Sequence, residues 1–242
     1  MSRQALVNDV LTAALFDGSE LRGCGPGGFV EQARPDVVAG HGFGDLAALV
    51  AAGALRRRDA LRLAIVRDQL VEQAAAGVGG GMLAVTARDA EAAASRLVER
   101  TGVAIARHDS PERVVLAGSQ EHLEHARAVA ALLGIAVADL PATAALHSRA
   151  LGAAAEVFEW VLESVSFHEP AIPVYSSVTA ALVGDDPRNE LAQCLDMPVL
   201  WTDTVRALQS AGAARFVVCG SAHELGELGL QTLTGARELV DA

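Results

Sequence analysis

The run Pro35-Asp36-Val37-Val38-Ala39-Gly40-His41-Gly42-Phe43-Gly44-Asp45 has the pattern of a buried strand, a sharp turn and the start of a helix. That context suits a nucleophile elbow, where a strained turn presents the serine of Gly-x-Ser-x-Gly at the carboxyl end of a strand for covalent acyl chemistry. Here the third position is Gly42. Glycine accepts left-handed backbone at no steric cost, so the turn is expected to persist while the covalent chemistry is lost. Asp45 opens the following helix, where the dipole favours a carboxylate, and is not read as a nucleophile. Arg56-Arg57-Arg58 precede the helix that begins at Asp59. Positive charge at a helix amino end is mildly unfavourable, so this patch is read either as a contact for phosphates or an acidic partner helix, or as a solvated loop.

The elements that must position these residues follow from periodicity and punctuation. Residues 3–16 read as a helix, with Ala5, Leu6, Val10, Leu11 and Leu15 along one side. Residues 17–34 are glycine-rich and read as a long loop. A strand at Val37–Ala39 leads into helices over 44–53 and 59–76. The next sixty residues read strand (82–86), helix (88–100), strand (103–107), strand (113–117), helix (120–133), strand (135–140). That order is the ferredoxin-like pattern. A helix over 149–165, a strand at 172–176, helices near 190–195 and over 202–211, a strand at 215–219 and a closing helix from His223 complete the chain. The reading is an α/β core of residues 1–81 and 141–242, carrying a ferredoxin-like subdomain at 82–140.

Of the 242 residues, 51% are hydrophobic and only 4% aromatic, so a large core must be built from Ala, Val and Leu. The net charge of −11 argues against general affinity for nucleic acid or an anionic membrane. Cys24, Cys194 and Cys219 are odd in number and widely spaced. They form neither a zinc-type pair nor a disulfide framework, as expected for a reducing, cytoplasmic setting, and no metal is expected. No signal peptide and no run of ~18 apolar residues is evident.

Several blocks together resemble the malonyl-CoA:acyl carrier protein transacylases and the acyltransferase domains of polyketide synthases. They are Asp36-Val37-Val38-Ala39-Gly40-His41-x-x-Gly44, Leu49 to Leu55, Arg67-Asp68-Gln69-Leu70, Gly81-Met82-Leu83-Ala84-Val85, Ser110-Pro111 with Val114-Val115 and Gly118, Leu146-His147-Ser148, Pro173-Val174-Tyr175-Ser176, Val178-Thr179, and Pro198-Val199 with Trp201. Their order and spacing fit the family over roughly residues 35–235. The resemblance implies an α/β-hydrolase-like core with an inserted ferredoxin-like subdomain, and acyl-thioester handling in fatty-acid or polyketide assembly. It implies coenzyme A thioester as ligand, no other cofactor, and an acyl carrier protein or synthase component as partner.

Site residues are carried over on the same basis. Gly42 stands at the serine position and His147 at that of the general base. Arg67 matches the arginine that grips the free carboxylate of malonyl-type acyl groups. Leu146 stands where members that select the acyl group carry a larger or smaller residue, and His41 packs beneath the elbow. Arg56, Arg57 and Arg58 are candidates for coenzyme A or carrier contact. The departures are the lost serine, Asp109 and Arg113 at the Asn-x-x-x-Gln positions, and Gly220-Ser221-Ala222 for Gly-Pro-Gly. The resemblance also implies that the family's first strand and oxyanion loop are absent, leaving a flank beside Val37–Ala39 for a second copy or a partner protein to cover. Three readings follow: a degenerate, non-covalent member; an active transferase whose serine is here replaced by Gly42; or a thioester hydrolase in which His147 activates water.

Overall fold

The structure is a computed structural model, described over residues 11–16, 34–142, 144–219, 223–233 and 238–241. Two sheets divide the chain. The first is five-stranded and all-parallel. It comprises β1 (Leu11–Phe16), β2 (Val37–Gly40), β7 (Val174–Tyr175), β8 (Ala213–Cys219) and β9 (Glu238–Asp241), in the order β7-β2-β1-β8-β9. The second is antiparallel and comprises β3 (Gly81–Thr86), β4 (Ala104–Ser110), β5 (Arg113–Gly118) and β6 (Ala136–Leu140), in the order β4-β5-β3-β6. With α3 (Ala90–Thr101) and α4 (Gln120–Leu133) as its crossovers, this second unit is ferredoxin-like.

The parallel sheet is buried on both faces, as a sheet with helical connections must be. On one face Ala14, Phe16, Val38 and Val217 pack with α1 (Gly44–Ala51), α2 (Arg57–Val78), α5 (Gly152–Leu162) and α6 (Arg188–Asp196). On the other, Ala13, Leu15, Ala39, Phe216 and Val218 meet Val205 and Leu208 of α7 (Trp201–Ser210) and Leu228 of α8 (His223–Thr232). No helix among the described residues is long and apolar enough to cross a membrane.

The structure corrects the reading of the amino end. Leu11–Phe16 is a strand, not the end of a helix, and it lies between β2 and β8. A short apolar run such as Leu-Thr-Ala-Ala-Leu-Phe satisfies either period locally; two parallel neighbours with free backbone groups decide it. β2 is therefore paired on both sides, by β1 and by β7. The flank expected to need a second copy or a partner is filled from within the chain. The glycine-rich residues 17–33, with Cys24, lie outside the described residues, as do residues 3–10 of the expected helix. Two smaller differences are a 3-10 turn at Arg149–Leu151 ahead of α5, and β9, which no periodicity signalled.

The subdomain docks through the edge of its sheet. The N–H of His108 donates to the carbonyl of Val199, and the N–H of Val199 to that of Ala106, both at 2.9 Å. Thr202 Oγ1 adds a bond to the His108 carbonyl at 3.0 Å. An edge strand has unpaired backbone groups to offer, and here they fasten β4 to the segment leading into α7.

Candidate active site

The turn after β2 is built as the sequence requires. Gly42 has φ +57. Its carbonyl accepts from the Asp45 N–H at 3.2 Å and, at 3.8 Å, from the Cys194 thiol. Gly40 is the close-approach position: a Cβ there would stand 1.9 Å from Asp45 N and from the Gly44 carbonyl carbon. Both are backbone atoms that cannot swing away. Gly40→Ala is therefore expected to cost about 3 kcal/mol or more. Chemical denaturation would register this; a loss under about 1 kcal/mol would mean that the turn is looser than drawn.

His147 comes to the same place from the other end of the core. A Cβ built at Gly42 would lie 3.4 Å from His147 Cε1 and 3.6 Å from Nε2. His147 is buried and has φ +54, a strained conformation for a residue with a side chain. Its Nδ1 lies 2.7 Å from the Cys194 carbonyl. A carbonyl can only accept, so Nδ1 carries the proton and Nε2 presents its lone pair toward Gly42. Burial, followed by repulsion from Arg107, His41 and Arg67, pulls the imidazole down to about 3. It is a neutral base throughout the physiological range.

Behind the turn lies a carboxyl that the sequence did not single out as part of the site. Asp45 Oδ2 accepts from Ser177 Oγ at 2.9 Å, the Ser177 N–H at 3.4 Å and Cys194 Sγ at 3.3 Å. Burial pushes Asp45 up to about 7, and the bonds from Ser177 and Cys194 only partly offset it. The same burial, with Asp45 beside it, pushes the Cys194 thiol well above its ordinary value. Cys194 thus supplies a carbonyl to His147 and a thiol to the turn and to Asp45. It acts as a spacer and not as a nucleophile.

On the subdomain side, Asp109 of β4 is fully buried between an imidazole and two guanidinium groups. His41 Nε2 is 3.3 Å from its Oδ1, and Arg107 Nη2 is 3.1 Å and Arg113 Nε 3.6 Å from its Oδ2. The His41 hydrogen bond and the two guanidinium charges hold its carboxyl below the ordinary range, against the upward push of burial. His41 also meets the indole ring of Trp201 edge-on, with centroids 5.2 Å apart. It is packed and satisfied beneath the turn.

On the opposite side, Arg67 of α2 stacks over Phe43, with Cζ 3.4 Å from the ring centroid, and Phe43 neighbours His147 at 6.3 Å between centroids. Arg67 Nε and Nη2 both donate to Asp68 Oδ1, at 2.9 and 2.5 Å. Leu146 is half-buried and packs against both the main core and the inner face of the subdomain. Gly42, His147, His41, Arg67 and Leu146 therefore gather in one place. Arg56, Arg57 and Arg58 do not: they are exposed where α2 begins, with Arg58 Nε 3.5 Å from Asp59, and Arg57 is about 15 Å along the helix from Arg67. Asp45, Ser177, the Cys194 carbonyl and Arg107 had no sequence signal as members of a site. Three of them act through contacts from distant segments, and one as part of a charge cluster.

Comparison with known proteins points to one family. Residues 20–233 match the family model described as the acyl transferase domain. The chain is 32% identical over 203 residues to the malonyl CoA-acyl carrier protein transacylase of Haemophilus influenzae, covering 81% of this chain and 65% of that protein. It is 36% identical over 206 residues to polyketide synthase GfsA of Streptomyces halstedii, covering 83% of this chain and 3% of that one. Among solved structures, the acyltransferase domain of an iterative polyketide synthase in enediyne biosynthesis matches with a TM-score of 0.82 at 30% identity, over 96% of this chain and 65% of that one. The chain spans less than two thirds of each of these relatives. It belongs to the acyl transferase domain family.

Proposed function

We propose that this chain is a non-covalent member of the family, serving fatty-acid or polyketide assembly by binding an acyl thioester of coenzyme A or of a carrier protein over the Gly42 turn. The observation that carries this reading is the pairing of a neutral, anchored His147 with a position 42 that bears no side chain. Without a hydroxyl there, no ester can form. Arg67, His41 and Leu146 wall the acyl site, and the exposed Arg56–Arg58 patch meets coenzyme A phosphates or the carrier protein. In this reading residues 82–140 form the inserted subdomain, and 1–81 with 141–242 the core. Calorimetry and intact mass after incubation with malonyl-CoA test it together. Binding without a mass change is expected; a malonyl adduct mapped to residues 40–45, or no binding, sinks it.

The lone pair of Nε2, aimed at the space over Gly42, also supports a hydrolytic reading. A water there would form the new bond to the thioester carbon as the C–S bond breaks. Its proton would pass to Nε2 and then to the departing thiolate. Slow thiol release by the natural protein, abolished in His147→Asn, is the expected signature. Release that persists at the same rate in the variant excludes His147 as its source.

A further inference from the structure

The carbonyl that fixes the His147 tautomer is free for a reason written in the chain. In an α-helix the Cys194 carbonyl would accept from the N–H four residues on. That residue is Pro198, which has no N–H. Proline also pushes the residue before it out of helical backbone: Met197 has φ −107 and ψ 152, and α6 ends at Asp196. The Cys194 carbonyl is thereby left to meet His147 Nδ1 at 2.7 Å. A free carbonyl is not yet an aimed one. The extended segment after α6 is tied on both sides to one carboxylate oxygen. Ahead of it, Cys194 Sγ lies 3.3 Å from Asp45 Oδ2. Beyond it, Leu200 donates its N–H to the Ser177 carbonyl at 2.7 Å, and Ser177 Oγ donates to Asp45 Oδ2 at 2.9 Å. Asp45, Ser177 and Cys194 are all buried, which strengthens these bonds. The Asp45 N–H meanwhile donates to the Gly42 carbonyl at 3.2 Å. One residue thus joins the turn to the support of the base.

We propose that Asp45 is a positioning residue for His147: its backbone holds the Gly42 turn, and its carboxyl, through Cys194, holds the carbonyl that orients the imidazole over that turn. The inference rests on the reading that His147 serves an acyl thioester over Gly42. Asp45 has no hydrogen bond to His147 among the described residues, so it acts through Cys194. Its Oδ2 takes a thiol, a hydroxyl and an amide donor. The position therefore needs an acceptor and not a charge, which asparagine supplies and alanine does not.

NMR of protein carrying isotope-labelled histidine tests this without any ligand, with His147→Asn assigning the signal. The natural protein should show His147 in the Nδ1–H form alone. Asp45→Ala should release it: both tautomers should appear, and exchange of the Nδ1 proton with solvent should rise by about tenfold or more, as when one buried hydrogen bond loses its support. Exchange is read relative to core amides, which separates the effect from a general loss of stability. Asp45→Asn should stay within about threefold of the natural protein. Cys194→Ala breaks the same link and keeps both its own carbonyl and the Ser177 bonds. It should reproduce the release, and it carries the test if Asp45→Ala does not fold. The two changes together should exceed neither alone, since they act through one contact. In the Gly42→Ser background, Asp45→Ala should slow acylation by malonyl-CoA by about tenfold and leave its Kd unchanged. A folded Asp45→Ala or Cys194→Ala protein with one tautomer and unchanged exchange overturns the inference. So does an Asp45→Asn protein released as fully as Asp45→Ala, or a natural protein without the Nδ1–H form. Release in the variants with no binding of malonyl-CoA by any form upholds the inference and removes the acyl-thioester reading instead.

Discussion

Gly42→Ser is expected to convert a protein that forms no acyl adduct into one that is acylated stoichiometrically by malonyl-CoA. Position 42 has room for the nucleophile: a Cβ there fits at 3.4 Å from the imidazole and 3.7 Å from Val199 Cγ2. A hydroxyl one bond further comes within reach of Nε2, whose tautomer the Cys194 carbonyl has already fixed. Serine oxygen would then attack the thioester carbon as the C–S bond breaks, with its proton passing to Nε2 and on to the thiolate. Losing a nucleophile costs an established hydrolase on the order of 10⁶ in rate, so the gain on restoring one is large even if only a small part is recovered. Stability moves the other way. A side chain at φ +57 costs about 1–2 kcal/mol, or roughly 2–8 °C in melting temperature for a chain of this size. Intact mass with peptide mapping reads the adduct, and Gly42→Ser combined with His147→Asn should form none. A well-folded Gly42→Ser protein that stays unmodified would show that residue 42 is not the nucleophile position.

The second large effect is in the pH dependence of folding, where two buried groups oppose each other. Asp45 is raised from 3.8 to about 7. Between those values the folded state keeps a proton that the unfolded chain releases, so its contribution is full below 3.8 and is lost as pH rises toward 7. His147 is lowered from 6.5 to about 3. Between those values the unfolded chain binds a proton that the folded state refuses, so its contribution is full above 6.5 and is lost as pH falls toward 3. Each amounts to about 4–5 kcal/mol across its window, with a slope of about 1.4 kcal/mol per pH unit. From about pH 4 to 6.5 the slopes have opposite sign and cancel, so these two groups leave stability flat there.

Removing either group should uncover the other. His147→Asn suits the test, because asparagine tolerates the left-handed backbone and can still donate to the Cys194 carbonyl. It should lose stability with rising pH across that window. Asp45→Asn should instead gain stability with rising pH, by a similar slope. Urea denaturation at half-unit pH steps from 4 to 7 checks both. Parallel curves for the natural protein and both variants would mean that the two groups are not buried as described.

The chain's own sequence determined most of the architecture. The Asp36–Asp45 run specified a strand, a glycine turn and a helix, because those local periods and a left-handed glycine have few other solutions. The strand-helix-strand-strand-helix-strand order specified the subdomain for the same reason. The blocks from Asp36 to Trp201 carried the resemblance to the family and paired the His147 position with that of Gly42.

Tertiary structure alone decided the rest, and each case turns on contacts between distant segments. Leu11–Phe16 is a strand because β2 and β8 offer backbone groups on both sides, which no local pattern records. Asp45 lies in the same helix turn that the sequence had marked. Its shift to about 7 comes from complete burial against Ser177 and Cys194, more than a hundred residues away. Arg107 was one basic residue on an edge strand. Two register shifts and the pairing of β4 with Val199 set its guanidinium 3.1 Å from the buried Asp109 carboxylate. Sequence patterns report the period of an element and the face it buries. Which charge meets which base depends on how two sheets dock, and that is set by the sum of many contacts no single segment contains.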